Sequence, residues 1–252
     1  MKISLITVTY NCDKTLNDTF DSVRGQNCKE LEYIVIDGGS TDNTVDIIRK
    51  NDDIIDFWSS APDEGIYDAM NKGLRQATGE YIGFLHSDDM FFSGSTLKNI
   101  VSALADSEKP EVFYGDLEYV HALSTEKVIR KWRSRKFKPE LLKQGWMPPH
   151  PTLYIRKDVV EETGFFDTSY RIAADYDYIL RLFTREGLNS CYLPEVIVKM
   201  RLGGASNKSL SNIIRKSKED IRALRKNRVG GLMTLIRKNL SKIPQFFHRK
   251  VI

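Results

Sequence analysis

Cysteine is scarce in this chain: only Cys12, Cys28 and Cys191 occur in 252 residues. They are odd in number, widely separated and without CxxC or Cys/His spacing, so neither a disulfide framework nor a zinc site is suggested, and buried or idle thiols are the ordinary reading. Long hydrophobic runs are also missing. No stretch approaches the roughly 18 to 20 apolar residues of a membrane-spanning helix, and Met1 to Tyr10 is too short and polar for a secretory signal, so a cytoplasmic location is expected. The absence of internal repeats and low-complexity tracts argues against a repeat architecture. Neither GxGxxG nor GxxxxGKS/T occurs, which disfavours dinucleotide and P-loop sites. No Ser/His/Asp or Cys/His set has the local context of a nucleophilic hydrolase.

What is present fits a folded α/β protein. Apolar residues make up 41% and charged residues 29%, ordinary for a globular chain. Ile3 to Thr9 and Tyr33 to Ile36 read as strands, with a helix carrying Leu16, Phe20 and Val23 between them and another from Ser40-Thr41-Asp42 to Lys50. A strand from Ile54 to Trp58, a helix with Ile66, Met70, Leu74 and Ala77 on one face, and a strand from Tyr81 to Leu85 continue the alternation. Such alternation implies a mainly parallel sheet covered by helices. From about Pro110 the texture changes to short strands at Val112–Tyr114 and Val128–Trp132, a loop rich in Pro148, Pro149 and Pro151, a helix starting near Asp175 and a strand at Ser190–Leu193. This reads as a mixed-sheet acceptor half.

In open sheets of this kind ligands gather at the carboxyl ends of strands, which here carry Thr9-Tyr10-Asn11, Asp37 and His86-Ser87-Asp88-Asp89. Adjacent carboxylates repel unless a cation sits beside them, and open oxygen sites suit Mg²⁺ or Mn²⁺ completed by substrate phosphates. An isolated Asp-Asp pair is more often a cap beside a solvated neighbour, so Asp88 and Asp89 alone decide nothing. Asp37, before Gly38-Gly39, suits either a base or ribose contact or a turn. Asp175 sits at a probable helix start, where the dipole keeps a carboxylate charged and available as a base, although capping explains it equally, and Asp177 competes for the role. His150, held in a Pro-flanked loop, is an acceptor-side candidate or a structural histidine.

Four ordered segments resemble the family 2 glycosyltransferases of the GT-A fold: ISLITVTYN, YIVIDGGSTDNT, DEGIYDAMNKGLRQATGEYIGFLHSDD and HPTLYIRKDVVEETGFFDTSYRIAADYDYILRL. The resemblance covers roughly residues 2–204, and its third segment resembles the exopolysaccharide and lipopolysaccharide (colanic-acid-type) branch. It implies a Rossmann-like nucleotide-sugar half over 1–109 and an acceptor half over 110–204, followed by a basic helical extension over 205–252. It also implies a nucleotide-diphospho-sugar held by Thr9, Tyr10, Asn11, Asp37, Lys72 and Asp88, with Mn²⁺ or Mg²⁺ at Asp89 and Asp88. Asp175 matches the general base of an inverting, single-sugar, hexosyltransferase-like reaction, whose expected acceptor is a saccharide or lipid-linked saccharide in surface polysaccharide biosynthesis. Departures exist: Gly38 stands where a second Asp is common, His86 where Asn is common, and Ala174 where Glu often precedes the base. The QxxRW pattern of processive synthases is absent.

Lys and Arg crowd the region after Lys199. Leu232, Ile236, Leu240, Ile243 and Phe247 recur at helical spacing beside Arg237, Lys238, Lys242, Arg249 and Lys250, which suits either an anionic membrane surface at the inner face of the cell membrane or an ordinary packed helix kinked at Pro244. No groove-reading motif accompanies this charge, so no nucleic-acid partner is expected. A noncatalytic nucleotide-sugar-binding protein or membrane scaffold is the alternative from another class.

Overall fold

The fold comes from a computed structural model describing residues 1–106, 109–203, 210–241 and 245. Strands are β1 Ile3–Thr9, β2 Leu31–Asp37, β3 Phe57–Ser60, β4 Tyr81–Phe84, β5 Met90–Phe91, β6 Val112–His121, β7 Ser124–Trp132, β8 Tyr154–Arg156 and β9 Ser190–Arg201. Helices are α1 Leu16–Arg24, α2 Thr44–Lys50, α3 Ile66–Gln76, α4 Thr96–Asp106, α5 Glu140–Lys143, α6 Lys157–Thr163, α7 Ala174–Phe183, α8 Leu210–Lys226 and α9 Leu232–Leu240.

One sheet carries all these strands in the order β3-β2-β1-β4-β8-β6-β9-β5, with β7 paired to β6. The first four are mutually parallel, so the ends of β1 and β2 lie side by side, Thr9 opposite Asp37. β8 runs antiparallel to both β4 and β6 and joins the two halves into one sheet. Every residue of β1 is buried, as a strand covered on both faces requires. Its alternation feeds two cores: Ile3 and Leu5 pack with Phe20, Tyr33 and Leu97, while Ile6 and Val8 pack with Met70, Leu74 and Ile179.

Several boundaries differ from the sequence reading. The strand expected at Ile54–Trp58 begins at Phe57, because Asp52–Ile54 forms a 3₁₀ turn and Asp56 accepts a hydrogen bond from the Tyr33 amide at 2.7 Å. The short strands at Val112 and Val128 are a long β6–β7 hairpin. β9 continues through Pro194 to Arg201; its register against β6 slips near the proline, a bulge that accommodates the missing amide. Ile243, Phe247, Pro244, Lys242, Arg249 and Lys250 of the expected basic stripe lie outside the described residues.

α8 packs on α7 rather than standing apart. Glu219 accepts hydrogen bonds from the amides of Arg171, Ile172 and Ala173, satisfying the donors that lead into α7. Lys238, expected to offer positive charge at the surface, is instead buried: its ammonium pairs with Asp220 at 3.1 Å and sits over the Tyr176 ring. No helix among the described residues is long and apolar enough to cross a membrane.

Candidate active site

The carboxyl ends of the parallel strands β1, β2 and β4 lie on the same side of the sheet. Asp37, 1% exposed, accepts from the Gly39 and Ser40 amides and from the Ser40 and Ser60 hydroxyls, so its carboxylate shapes the turn after β2. A side chain at Gly38 would strike the Asp63 carboxylate, so the position where a second Asp is common is crowded by Asp63. Lys72, on α3, donates to the Pro62 carbonyl at 3.2 Å and pairs with Asp68 at 3.1 Å, which ties it to the loop over the Gly38-Gly39 turn. Thr9 is buried with no partner for its hydroxyl among the described residues, and Tyr10 beside it is 60% exposed, offering an aromatic face at the strand end. Asn11, with φ at 51°, accepts from the Thr41 amide through its side chain. The left-handed backbone there suits Asn and turns β1 toward the cleft.

The Asp88-Asp89 turn is anchored from α1. Thr15 donates to the Ser87 carbonyl at 2.9 Å and Thr19 to the Asp89 carbonyl at 2.8 Å. Asp89 is fully buried, and neither of its carboxylate oxygens has a hydrogen-bond partner among the described residues. Burial, then the charge of Asp88, pushes its carboxyl well above the ordinary range, while the nearby Arg201 amide and guanidinium oppose this without reaching hydrogen-bonding geometry. An orphaned, desolvated carboxylate is costly unless a cation arrives to meet it. Two aspartates at a strand end therefore fit a hard divalent ion whose remaining ligands are phosphate oxygens and water. No cluster of three or more metal-ligating side chains exists among the described residues, so an ion held by Asp89 and Asp88 would need further ligands such as phosphate oxygens or water.

Asp175 faces this turn through two histidines. The His150 Nδ1 lies 3.5 Å from Asp175 Oδ2, and the two Nε2 atoms of His150 and His86 are 3.2 Å apart. Burial, then His150, brings the His86 pKa down to about 3; burial lowers His150 despite the opposing charges of Asp175 and Asp88. Both rings are therefore neutral near pH 7, and one tautomer pair satisfies them. His150 carries its proton on Nδ1 toward Asp175, and His86 donates from Nε2, leaving its own buried Nδ1 as the acceptor, without a partner among the described residues.

Tyr67 donates to the Ile172 carbonyl at 2.7 Å and lies 3.3 Å from Asp175 Oδ1; with its single proton on the shorter contact, the carboxylate is only loosely held. A third residue senses both acidic centres. Burial raises the Tyr119 phenol, Arg130 stacked at 4.1 Å opposes this, and Asp89 and Asp175 both add to the rise.

Asp177 is not brought to it. The side chain is fully buried on the far side of α7, paired with Arg181 at 3.0 Å and bonded to Asn227 at 3.1 Å, with Lys226 close by. Its candidacy as an acceptor-side residue is corrected accordingly: the acid locks α8 onto α7. Sequence reasoning missed Tyr67, Tyr119, Arg130 and Glu219. The first lies inside the quoted DEGIYDAMNKG segment; the others belong to elements brought near Asp175 by tertiary packing, with no local pattern to mark them.

The glycosyl transferase family 2 model matches residues 4–163, well over half of the chain. The chain belongs to that family. It is 29% identical over 213 residues to the PGL/p-HBAD biosynthesis glycosyltransferase of Mycobacterium tuberculosis, covering 81% of this chain and 78% of that one. The Escherichia coli UDP-Glc:alpha-D-GlcNAc-diphosphoundecaprenol beta-1,3-glucosyltransferase WfaP is 28% identical over 219 residues, 85% of this chain and 84% of its own. Among solved structures, the mannosyltransferase PcManGT from Pyrobaculum calidifontis, in complex with GDP-Man and Mn²⁺, superposes with a TM-score of 0.66 at 19% identity, covering 95% of this chain and 69% of that one. The architecture is the GT-A fold and the enzyme class is glycosyltransferase.

The histidine pair yields a direct expectation for the family 2 enzyme. His150→Asn, whose amide nitrogen overlays Nδ1, should keep most activity. His150→Ala should lower kcat about tenfold at unchanged donor KM. Steady-state kinetics on both variants checks this, and equal losses in the two would show that the Nδ1 proton is irrelevant.

Proposed function

We propose that the protein is an inverting, metal-dependent transferase that moves one sugar from a nucleotide-diphospho-sugar to a hydroxyl of a lipid-linked saccharide during surface polysaccharide assembly. The observation that carries this reading is the contact chain from Asp175 to His150 to His86, which ends three residues before Asp89, whose buried carboxylate has no partner among the described residues. Residues 1–109 would hold the donor, with Tyr10 stacking on the base, Thr9, Asn11 and the Asp37 turn forming the cradle, and Lys72 and Asp88 nearby. Residues 110–204 would hold the acceptor, and α8 of the 205–252 extension would buttress α7. Asp89, with Asp88, would hold Mn²⁺ or Mg²⁺, which when bound neutralises charge growing on the departing diphosphate.

The chain's own residues supply the rest. Asp175 accepts the acceptor hydroxyl proton as that oxygen bonds to the anomeric carbon, and the bond to the diphosphate breaks on the opposite face, inverting the centre. His150 keeps the carboxylate aimed at the cleft. The test is release of nucleoside diphosphate from UDP-, GDP- and dTDP-sugars with a lipid-linked acceptor extract and Mn²⁺ or Mg²⁺. Activity that persists undiminished in EDTA overturns the metal assignment, and donor binding without any transfer favours a noncatalytic role.

The relation to WfaP, whose name specifies a diphosphoundecaprenol-linked acceptor, supports the lipid-linked reading. So does α9, which exposes Leu232, Met233, Ile236 and Leu240 in a row next to Arg237. We infer a peripheral association with the anionic inner leaflet of the cell membrane. In liposome flotation, the intact chain should float with anionic vesicles, and Leu232→Asp/Ile236→Asp should lose most of that recovery; equal recovery refutes the docking face.

A further inference from the structure

A second cleft, about 560 Å³, opens between the end of β7, the Gln144–Met147 turn and α9. None of its lining residues is acidic. It borders a strongly basic run, in which six of the nine residues from Arg130 to Lys138 are Lys or Arg. The charge of Lys131 is taken by Glu118 at 2.6 Å and that of Lys238 by Asp220. Arg133 and Arg135 are exposed and enter no ion pair among the described residues.

The loop that carries them is built rather than loose. Buried Asp116 accepts from the Ser134 amide at 2.7 Å and from the Tyr192 hydroxyl at 2.8 Å, and the Tyr114 hydroxyl donates to the Arg135 carbonyl at 2.8 Å. Two further polar atoms of the cleft, the Ser134 hydroxyl and the Trp146 indole nitrogen, are buried without a partner among the described residues. Trp146 is fixed by stacking on Phe137 and edge contacts with Tyr114 and Phe183. Two guanidinium groups outside any ion pair among the described residues and two orphaned donors, in a cleft whose lining carries no acid while Asp116 lies behind the loop at the Ser134 amide, are the complement of a phosphate or diphosphate.

We propose that this cleft binds the phosphate or diphosphate of the lipid-linked acceptor. The inference rests on the transferase reading above and adds the place where the acceptor is held. Position supports it on both sides. Met147 lines the cleft and is three residues from His150, a span of at most about 10 Å, and His150 in turn lies 3.5 Å from Asp175. On the other side, α9 closes the cleft through Lys238 and shows its apolar row to solvent, where the hydrocarbon of the acceptor and the bilayer would lie.

The test uses the full chain and intrinsic tryptophan fluorescence, since Trp132 and Trp146 both line the cleft. Farnesyl diphosphate should quench saturably without added metal; inorganic pyrophosphate should bind more weakly and farnesol not measurably, which separates the head group from the lipid. Arg133→Ala/Arg135→Ala should weaken farnesyl diphosphate binding about tenfold or more, and Arg133→Lys/Arg135→Lys should recover part of it. UDP and GDP binding with Mn²⁺ should stay unchanged in both variants. The proposal is overturned if the native chain does not bind farnesyl diphosphate, if the alanine pair binds it as the native chain does, or if a nucleotide displaces it competitively. Loss of nucleotide binding by the native chain would instead sink the transferase reading.

Discussion

Asp89→Asn is expected to make the protein more stable and nearly inactive. Activity should fall about 10²- to 10³-fold, in the range of losing one preorganised electrostatic contact to a developing charge. The metal-free protein should gain about 1–3 kcal/mol, because an unpaired buried carboxylate is replaced by a neutral isostere. The sign follows from the raised carboxyl pKa of Asp89. A carboxyl held higher in the folded chain than in the unfolded one binds its proton more tightly when folded. Its contribution to stability is therefore fully present below the ordinary carboxylate range and is lost as pH rises through the folded value. Metal-free protein should consequently melt higher as pH falls across that window, and the Asn variant should lose this part of the slope. Differential scanning calorimetry with and without Mn²⁺ reads both effects. A variant that melts lower than the native chain would mean that Asp89 is a structural partner of Arg201 and not a site waiting for a cation.

The legibility of this molecule in its sequence divides along physical lines. β1 was readable because apolar and β-branched residues fill a strand buried on both faces, and the helix from Ile66 was readable from its period. The chain after about Pro110 was harder. Pro194 argues locally against a continuing strand, yet β9 passes through it by a bulge that only its pairing with β6 reveals. The site shows the same division. Asp88 and Asp89 stand out as neighbours in the chain. The His150–His86 contact, the Tyr119–Arg130 stack and the Glu219 cap join residues from separate elements, and no spacing rule could have found them. Lys238 shows the opposite failure: helical spacing and charge suggested a solvated cation, but Asp220 and Tyr176 bury it.

Asp175 and Asp177 supply the sharpest contrast, because they share one turn of α7 and should fail in opposite ways. Residues two apart on a helix lie about 200° from each other around its axis, so one carboxylate faces the cleft and the other the α8 interface. Asp175→Asn preserves shape and leaves the 3.3 Å contact with Tyr67 available, so the fold should melt within a degree or two of the native temperature. Its kcat should fall about 10²- to 10⁴-fold with little change in donor KM, since the role proposed for the lost group is to take the acceptor proton. Asp177→Asn removes the charge that Arg181 and Lys226 share in a buried setting, and should cost about 3–5 kcal/mol of stability while leaving per-molecule activity near normal at low temperature. Steady-state kinetics and thermal denaturation on the two variants separate the roles. If the Asp175 variant unfolds while the Asp177 variant folds but cannot transfer, the base belongs to Asp177 and the cleft-facing assignment is wrong.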